Sequence, residues 1–351
     1  MRRPNPQATG DVSAEQICRP FLLRRRPLVV SVRQQTDFHQ EMCKDILSGL
    51  AGPEKSIPCK YLYDDCGSRL FERICTLSEY YPTRTEVAIL NQYAAEIMLF
   101  FSRQGGDLVE IGSGSDLKIR FLLERSPENY RKHIRYVPVD ISETSLLRSS
   151  VRLMSDFRDL TILALVADFS RHLEFLPRRR KLIVFFGGTF GNFTHQEGVA
   201  LLKSFARVMG AEDRLLLGID MLKPVHIIET AYNDRSGVTA RFNLNILHHI
   251  NRRLRADFRP EDFDHSSMFN QEKGQIEMHL KARSDTGAHI ADLGLKVCIR
   301  RGETILTEIS RKFTPAQAQN CFDEAGLVPV RWFTDPQAWF SLVELAVDHE
   351  R

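Results

Sequence analysis

The spacing of apolar residues divides the chain into a helical first part and a later part in which short strands alternate with helices. Residues 35–50 predict a helix that Gly52-Pro53 ends, with four apolar side chains on one face: Phe38, Met42, Ile46 and Leu50. An aromatic stretch over residues 60–93 begins as a loop and becomes helical around residues 67–77. We expect Pro82 to break this helix and Thr85 to cap the next one.

Five short apolar runs predict the strands of a sheet, at residues 107–111, 135–139, 161–167, 182–186 and 214–219. Residues 117–124, between the first two runs, have a helical composition. Alternating strands and helices indicate an α/β fold whose parallel sheet is covered on both faces. A glycine or an aspartate follows every run: Gly112, Asp140, Asp168, Gly187 and Asp220. Ligands of such sheets bind beyond the carboxyl ends of the strands, so these residues mark the candidate site.

Residues 223–310 break the alternation and are interpreted as an insertion. They contain one helical segment and two alternating runs, at 242–254, 276–282 and 305–309. After the insertion, Thr314-Pro315 starts a helix that ends at Gly326. Two further strands are expected to complete the sheet as an antiparallel hairpin, at 328–333 and 339–343.

Charge and length exclude some classes of partner. The chain has 351 residues, of which 43% are hydrophobic and 26% charged, as in ordinary globular proteins. A net charge of +3 is too small to indicate a nucleic-acid partner. No apolar run approaches the roughly 20 residues that a membrane span needs. Residues 1–34 are rich in arginine and poor in acids, which predicts a basic, disordered arm; contact with an anionic surface and a transit peptide are the alternatives.

The seven cysteines include no C-x-x-C pair, which favours neither a disulfide framework nor a zinc site. The histidines, His248 and His249 among them, show no ligand spacing, so no metal is expected. Reduced cysteines are typical of cytoplasmic proteins, and we predict that location.

The turn after the first strand, Glu110-Ile-Gly-Ser-Gly-Ser115, is the first candidate for binding chemistry. Its glycines let the backbone approach a ligand, although a tight strand-to-helix turn alone would also need them. Asp140 is placed to accept hydrogen bonds from the two hydroxyls of a ribose, and Asp168-Phe169 offers an adenine a carboxylate and a ring. Leu117 stands where a dinucleotide motif needs its third glycine, and Glu110 is unfavourable beside a pyrophosphate. These residues together favour S-adenosylmethionine, which carries no phosphate.

Four segments carry a resemblance to a known family. They are Lys60–Glu72 (KYLYDDCGSRLFE), Glu79–Arg84 (EYYPTR), Gly187–Asn192 (GGTFGN) and Phe242–Asn245 (FNLN). In this order they resemble the histidine Nα-methyltransferases of ergothioneine biosynthesis, and the resemblance extends from about residue 35 to the C terminus.

The resemblance implies a Rossmann-like class I methyltransferase sheet with a C-terminal antiparallel hairpin, plus a second, substrate-binding domain. The arm at 1–34 lies outside both domains. The expected division places the substrate domain in 35–90 and the insertion 223–310, and the methyltransferase domain in 91–222 and 311–351.

The resemblance also implies the site residues. Five are expected to bind S-adenosylmethionine: Gly112, Lys118, Asp140, Asp168 and Phe169. Tyr63 is expected near the substrate amine, and Asn192 and Tyr232 at the amino-acid end of the substrate, with Gly187 in the same pocket. The remaining residues are expected to contact the imidazole or close the pocket: Tyr80, Glu308 and Ser310, with Phe71 and Met278. Tyr63 and Asn192 are the expected catalytic residues.

Several of these residues have a structural alternative when taken singly. Tyr63 and Tyr80 could be ordinary buried aromatics, and Met278 lies in an alternating run that is typical of strand core. Asn192 could be a turn residue. Glu308 is more informative, because a carboxylate within the apolar run 305–309 is costly unless it is paired or faces solvent.

The implied reaction needs little acid–base chemistry. The enzyme must hold a neutral amine nitrogen against the methyl carbon of the donor, whose positive charge lowers the pKa of the amine. We expect Tyr63 to orient the amine, water to carry the proton, and up to three transfers to yield a trimethylammonium betaine, hercynine. A monomer acting on a small amino acid is expected, without nucleic acid or membrane.

Three alternatives remain open from the sequence. One is the same chemistry on another amino acid such as tryptophan, against which Glu308 and Met278 favour histidine. The others are a nicotinamide oxidoreductase and a non-catalytic protein that binds S-adenosylmethionine.

Overall fold

The computed structural model describes residues 27–32, 35–170 and 173–348. Within these ranges the strands are β1 (Leu28–Ser31), β2 (Lys55–Ser56), β3 (Gly106–Ile111), β4 (Ile134–Asp140), β5 (Thr161–Val166), β6 (Lys181–Phe185), β7 (Arg214–Asp220), β8 (Phe263–Asn270), β9 (Gln275–Ala282), β10 (Thr286–Ile290), β11 (Leu295–Ile299), β12 (Thr304–Arg311), β13 (Leu327–Thr334) and β14 (Phe340–Val347). The α-helices are α1 (Gln35–Ala51), α2 (Asp65–Ile74), α3 (Tyr81–Gln104), α4 (Leu117–Arg125), α5 (Glu128–Arg131), α6 (Glu143–Asp156), α7 (His195–Val208), α8 (Val225–Ala231), α9 (Val238–Leu254) and α10 (Pro315–Ala325). Two 3-10 turns matter for the site: Cys59–Leu62 and Thr189–Asn192.

The apolar runs form the centre of an eight-stranded sheet with the order β1-β5-β4-β3-β6-β7-β14-β13. The five central strands are parallel, and β14 and β13 close the sheet as an antiparallel hairpin, so the predicted α/β sheet is confirmed. The order along the chain reverses between β3 and β6. In open parallel sheets this reversal opens a crevice beyond the carboxyl ends of the two strands, where ligands bind.

A second sheet, with the order β2-β12-β9-β8, is built mostly from the insertion. It shares one hydrophobic cluster with α1, α9 and the hairpin of β10 and β11, and this cluster includes Met42, Ile246 and Leu280. Two other clusters lie around the main sheet. The domain boundaries given above remain a prediction.

The edge strand β1 corrects the arm prediction. Leu28–Ser31 pairs in parallel with Leu163–Val166, so this part of the predicted disordered arm is a strand. The density of arginines suggested disorder, but Leu28, Val29 and Val30 form a short apolar run that suits a sheet edge. Residues 1–26 of the arm lie outside the described residues.

The start of α3 is a second correction. Proline lacks an N–H, but the first turn of a helix does not need one, so Pro82 lies inside α3 and does not break a helix. Tyr80 occupies the N-cap position, and the Thr85 hydroxyl donates to the carbonyls of Tyr81 and Pro82 at 2.9 and 3.0 Å instead of capping. In the described part of the chain, no helix is both long and apolar enough to cross a membrane.

Candidate active site

A cavity of about 330 Å³ lies between the carboxyl ends of β6 and β7 and one end of β12. Eight of the nine predicted substrate residues line it: Tyr63, Phe71, Tyr80, Gly187, Asn192, Tyr232, Glu308 and Ser310. Met278 does not. It is 1% exposed in the hydrophobic core and is the cross-strand partner of Glu308. The structure therefore brings together residues that are up to 247 positions apart in sequence (Tyr63 to Ser310).

Aromatic rings form one wall of the cavity. The Tyr63 ring lies edge-to-face against Phe71 and Phe242, with centroids 5.4 Å apart in both pairs. Tyr80 extends the wall from Phe71 to Tyr232, at 6.1 and 6.2 Å. Burial, reinforced by Glu308, raises the pKa of Tyr63 well above its ordinary value. Tyr63 is therefore a neutral hydroxyl, which can both donate and accept.

The Phe242–Asn245 motif supports this wall. Phe242 is 2% exposed and packs behind Tyr63 and Phe71. The Asn245 amide donates to Asp64 Oδ1 at 2.7 Å, and the same oxygen accepts from the backbone of Gly67, so Asp64 caps α2. This contact fixes the start of the helix that carries Phe71. The motif that identified the family is thus structural at these positions.

The strand β12 supplies the polar wall. Its register with β9 shifts between Leu306 and Glu308, which leaves Thr307 as the extra residue of a β-bulge. The Thr307 hydroxyl donates to Asn243 Oδ1 at 2.6 Å and to the carbonyl of Met278 at 3.0 Å. The bulge places Glu308 on the same face of the strand as Ile305, which is the inner face. Ser310 follows on that face.

Glu308 is a buried carboxylate with an oxygen that lacks a hydrogen-bond donor in the described structure. Its side chain is 9% exposed, and Oε2 has no hydrogen-bond partner among the described residues. Burial raises its pKa to about 7, although the nearby Lys312 ammonium opposes this shift. An unpaired buried carboxylate is costly, so the arrangement favours a ligand that brings an N–H.

A buried network surrounds Asp220, which lines the cavity and which the sequence analysis marked only as a strand end; its partners Tyr81, Lys223 and Lys312 were not predicted. Asp220 accepts hydrogen bonds from the Tyr81 hydroxyl at 2.9 Å and from the ammonium groups of Lys223 and Lys312 at 2.5 and 2.8 Å. Lys312 also donates to Ser310 Oγ and Tyr232 Oη. Lys312 could have been found from the sequence, because it continues the two-residue spacing of Glu308 and Ser310.

The predicted cofactor residues lie beyond the carboxyl ends of β3, β4 and β5. Gly112 adopts φ +65°, and an added Cβ would lie 3.7 Å from the Phe169 ring. Asp140 accepts from the backbone nitrogens of Gly114 and Ser142 at 3.1 and 2.9 Å. Asp168 Oδ1 accepts from Ser170, whereas Oδ2 is buried without a partner in the described ranges. A glycine turn and an unpaired carboxylate oxygen fit an adenosyl group.

Lys118 connects this region to the cavity. Its ammonium lies 2.6 Å from Glu86 Oε2, and the Glu86 carboxylate accepts from the backbone nitrogen of Gly187. Glu86 was not predicted as a site residue, because one glutamate in a long helix carries no distinctive pattern. Burial raises the pKa of the neighbouring Glu110 to about 8, although its hydrogen bond from Tyr136 opposes the shift.

Asn192 occupies the end of the Thr189–Asn192 turn. Its amide nitrogen lies 3.9 Å from Cys59 Sγ, a weak contact that leaves most of its hydrogen-bonding capacity free. The preceding Gly191 lies against β12, where an added Cβ would come within 2.7 Å of the Arg311 carbonyl oxygen. Close packing of this turn on β12 thus sets the distance between Asn192 and the polar wall.

Similarity to known proteins is consistent with this geometry. A family model described as histidine-specific methyltransferase, SAM-dependent, matches residues 42–347, which is most of the chain. The chain belongs to this family. It is therefore an S-adenosylmethionine-dependent methyltransferase, its main sheet is the Rossmann-like sheet of class I enzymes, and the oxidoreductase alternative is dropped.

Individual relatives are similar to this chain over most of its length. The Histidine N-alpha-methyltransferase of Mycolicibacterium smegmatis is 40% identical over 303 residues, which cover 85% of this chain and 92% of that protein. The protein of the same name from Mycobacterium tuberculosis is 39% identical over 306 residues, which cover 87% of this chain and 94% of that protein. Ergothioneine biosynthesis protein 1 of Neurospora crassa is 30% identical over 81% of this chain, which is 32% of that larger protein.

Proposed function

We propose that the protein transfers methyl groups from S-adenosylmethionine to the α-amino nitrogen of free L-histidine, up to the trimethylated product, hercynine. The observation that carries this proposal is Glu308. Its unpartnered Oε2 and the Ser310 hydroxyl lie in a cavity whose lining residue Gly187 is next to the predicted cofactor residue Lys118. The names of the bacterial relatives support the substrate, and the name of the fungal relative supports a role in ergothioneine biosynthesis.

The donor would be held by the glycine turn and the strand-end carboxylates. Gly112 leaves room for the ligand. Asp140 would accept from the ribose hydroxyls, and the unpartnered Asp168 Oδ2 would accept from the adenine amine beside the Phe169 ring. Lys118 would link the donor site to the cavity, because it pairs with Glu86, and Glu86 accepts a hydrogen bond from the Gly187 backbone. When bound, S-adenosylmethionine supplies an electrophilic methyl group on a sulfonium.

At the amino-acid end, the residues hold the substrate and do not take its proton. The Asn192 amide offers a donor and an acceptor, and the Tyr232 hydroxyl adds a donor for the carboxylate. Tyr63 stays neutral because burial raises its pKa, so its hydroxyl would orient the amine without taking the proton, which would leave to water. Neutral groups tolerate a nitrogen that gains methyl groups, which supports successive transfers.

At the ring end, Glu308 would accept the imidazole N–H, and Ser310 would contact the second nitrogen. A substrate without a matching donor would leave the carboxylate unpaired, and such mismatches cost substrates several orders of magnitude in kcat/KM.

The test is Glu308→Ala, assayed with histidine and with tryptophan. We expect kcat/KM for histidine to fall by about 100-fold or more while S-adenosylmethionine affinity, measured by calorimetry, changes less than about threefold. An equal loss of kcat/KM for histidine and of S-adenosylmethionine affinity would refute the assignment of Glu308 to the imidazole ring. Faster turnover of tryptophan than of histidine by the unmodified protein would favour the other amino-acid substrate instead.

A further inference from the structure

Lys312 is the buried group beside the cavity that the proposed function leaves unexplained. Its side chain is fully buried, and its ammonium has three acceptors: Asp220 Oδ2 at 2.8 Å, Ser310 Oγ at 2.7 Å and Tyr232 Oη at 3.1 Å. Burial opposes the charge, but Asp220 and Tyr232 together outweigh burial and raise the pKa of Lys312 to about 12. An ammonium has three N–H donors and no acceptor, so each of its protons has one partner.

These contacts determine where the two hydroxyl hydrogens point. An oxygen that accepts from Lys312 uses a lone pair on that side, so its own hydrogen must point away from the ammonium. Ser310 and Tyr232 both line the cavity, and their hydroxyls also lie close enough to hydrogen-bond to each other. A hydrogen that points away from the ammonium is therefore directed to the cavity or to the other hydroxyl. If one hydrogen bridges the two hydroxyls, the other remains for a ligand, so the pair offers the cavity an O–H donor beside the Glu308 acceptor.

We propose that Lys312 is a positioning residue that makes Ser310 and Tyr232 hydrogen-bond donors and thereby selects a substrate ring with one N–H and one unprotonated nitrogen. The inference rests on the proposed function and extends it to specificity. Imidazole satisfies both Glu308 and Ser310. A pyrrole or indole ring offers an N–H to Glu308 but no acceptor to Ser310, which leaves a buried donor unpaired.

Lys223 is a matched control for Lys312. It is also buried against Asp220, but its hydrogen bonds go to Asp220, the Tyr81 hydroxyl and the Met221 carbonyl. Either lysine can be replaced while Asp220 keeps the other lysine and Tyr81. Each replacement also removes one of two positive charges that face a single carboxylate, so both variants are expected to fold.

The experiment compares Lys312→Met and Lys223→Met with histidine and with a pyrrolyl analogue of histidine, whose ring keeps the N–H but lacks the second nitrogen. The readout is the ratio of kcat/KM for the two substrates. In Lys312→Met the Ser310 hydroxyl is free to rotate and accept, so we expect the ratio to fall by about 10-fold or more. Lys223→Met should keep the wild-type ratio. S-adenosylmethionine affinity should stay within about threefold in both variants.

A wild-type ratio in Lys312→Met, or the same fall in both lysine variants, would overturn the proposal, because a purely structural role lowers both substrates alike. Ser310→Ala tests the claim without altering the lysine. It must lower the ratio by a similar factor, and an unchanged ratio overturns the proposal even if Lys312→Met does not fold. Absence of histidine methylation by the unmodified protein would instead refute the proposed function.

Discussion

Both carboxylate oxygens of Glu86 lie 3.0 Å from the backbone nitrogen of Gly187. Gly187 adopts φ +86° and lines the cavity, and Glu86 is fully buried. The same carboxylate pairs with Lys118, whose predicted role is at the cofactor. Glu86 thus joins the two halves of the active site through one side chain.

Glu86→Gln should weaken both ligands. The amide keeps the size of the side chain but places a donor against Lys118 or the Gly187 N–H, and loss of one partner of a buried pair is costly. We expect S-adenosylmethionine affinity to fall and the KM for histidine to rise, each by about 10-fold, in calorimetry and steady-state kinetics. Thr85→Val is the control, because among the described residues the hydroxyl of this buried neighbour bonds only within its own helix. A change in one ligand alone would contradict the coupling.

Asp168→Ala should affect the cofactor selectively. Removal of the unpaired Oδ2 deletes the acceptor proposed for the adenine amine. We expect S-adenosylmethionine and its demethylated product to bind about 10-fold more weakly, with the KM for histidine within about twofold of wild type. Ser170→Ala removes a partner of Oδ1 and leaves Oδ2 in place, so its effect should be smaller. Unchanged cofactor affinity in Asp168→Ala would count against the assignment.

Glu308→Gln should change the pH dependence of stability. The folded pKa of about 7 exceeds the ordinary value of 4.5, so the folded state binds more protons than the unfolded state between these values. The stability that protonated Glu308 contributes is complete below pH 4.5 and is lost as the pH rises through 7.

Denaturant titrations at pH 4.5 and pH 8 check this sign in the ligand-free protein. The unfolding free energy of Glu308→Gln, relative to wild type, should rise by about 3 kcal/mol across this range. The exposed Glu272→Gln serves as control. If the unfolding free energy of Glu308→Gln relative to wild type stays constant or falls as the pH rises, the burial of the Glu308 charge is contradicted.

Gly191→Ala should disturb the substrate end. The added Cβ would lie 2.7 Å from the Arg311 carbonyl oxygen and 3.3 Å from Ser310 Oγ, so the turn must move away from β12. We expect a loss of about 1–3 kcal/mol in unfolding free energy and a larger rise in the KM for histidine than in the cofactor Kd. Gly210→Ala has its nearest contact at 3.8 Å and should be neutral in the same assays.

The sequence predicted the main sheet well because its strands are buried on both faces. Runs such as Leu182–Phe186 are apolar without interruption, and the observed β6 differs from this run by one residue at each end. The insertion was harder. The strand β8 is mostly half-exposed and polar, and its pairing with β9 depends on neighbours that a local pattern does not reveal.

The site residues also divide into those that the sequence predicted and those that it missed. The family resemblance predicted residues within the motifs, such as Tyr63 and Asn192, and residues outside them, such as Glu308. Eight of these predicted substrate residues line the cavity. Asp220 was noted only as a strand end, and Lys223 and Glu86 were missed. Their importance arises from contacts across 101 to 142 positions of sequence, which no local spacing encodes.

The bulge at Thr307 divides β12 into two segments. In each segment the side chains alternate between the two faces of the sheet independently of the other segment. The first segment, with Ile305, pairs with β2 and belongs to the hydrophobic core, whereas the second carries the groups that face the ligand. Because one unpaired residue absorbs the change of register, the recognition segment can be altered without reversing the orientation of the core segment. The residues of β12 that follow Thr307 can therefore change to bind a different methyl acceptor, while the core segment before Thr307 keeps its packing.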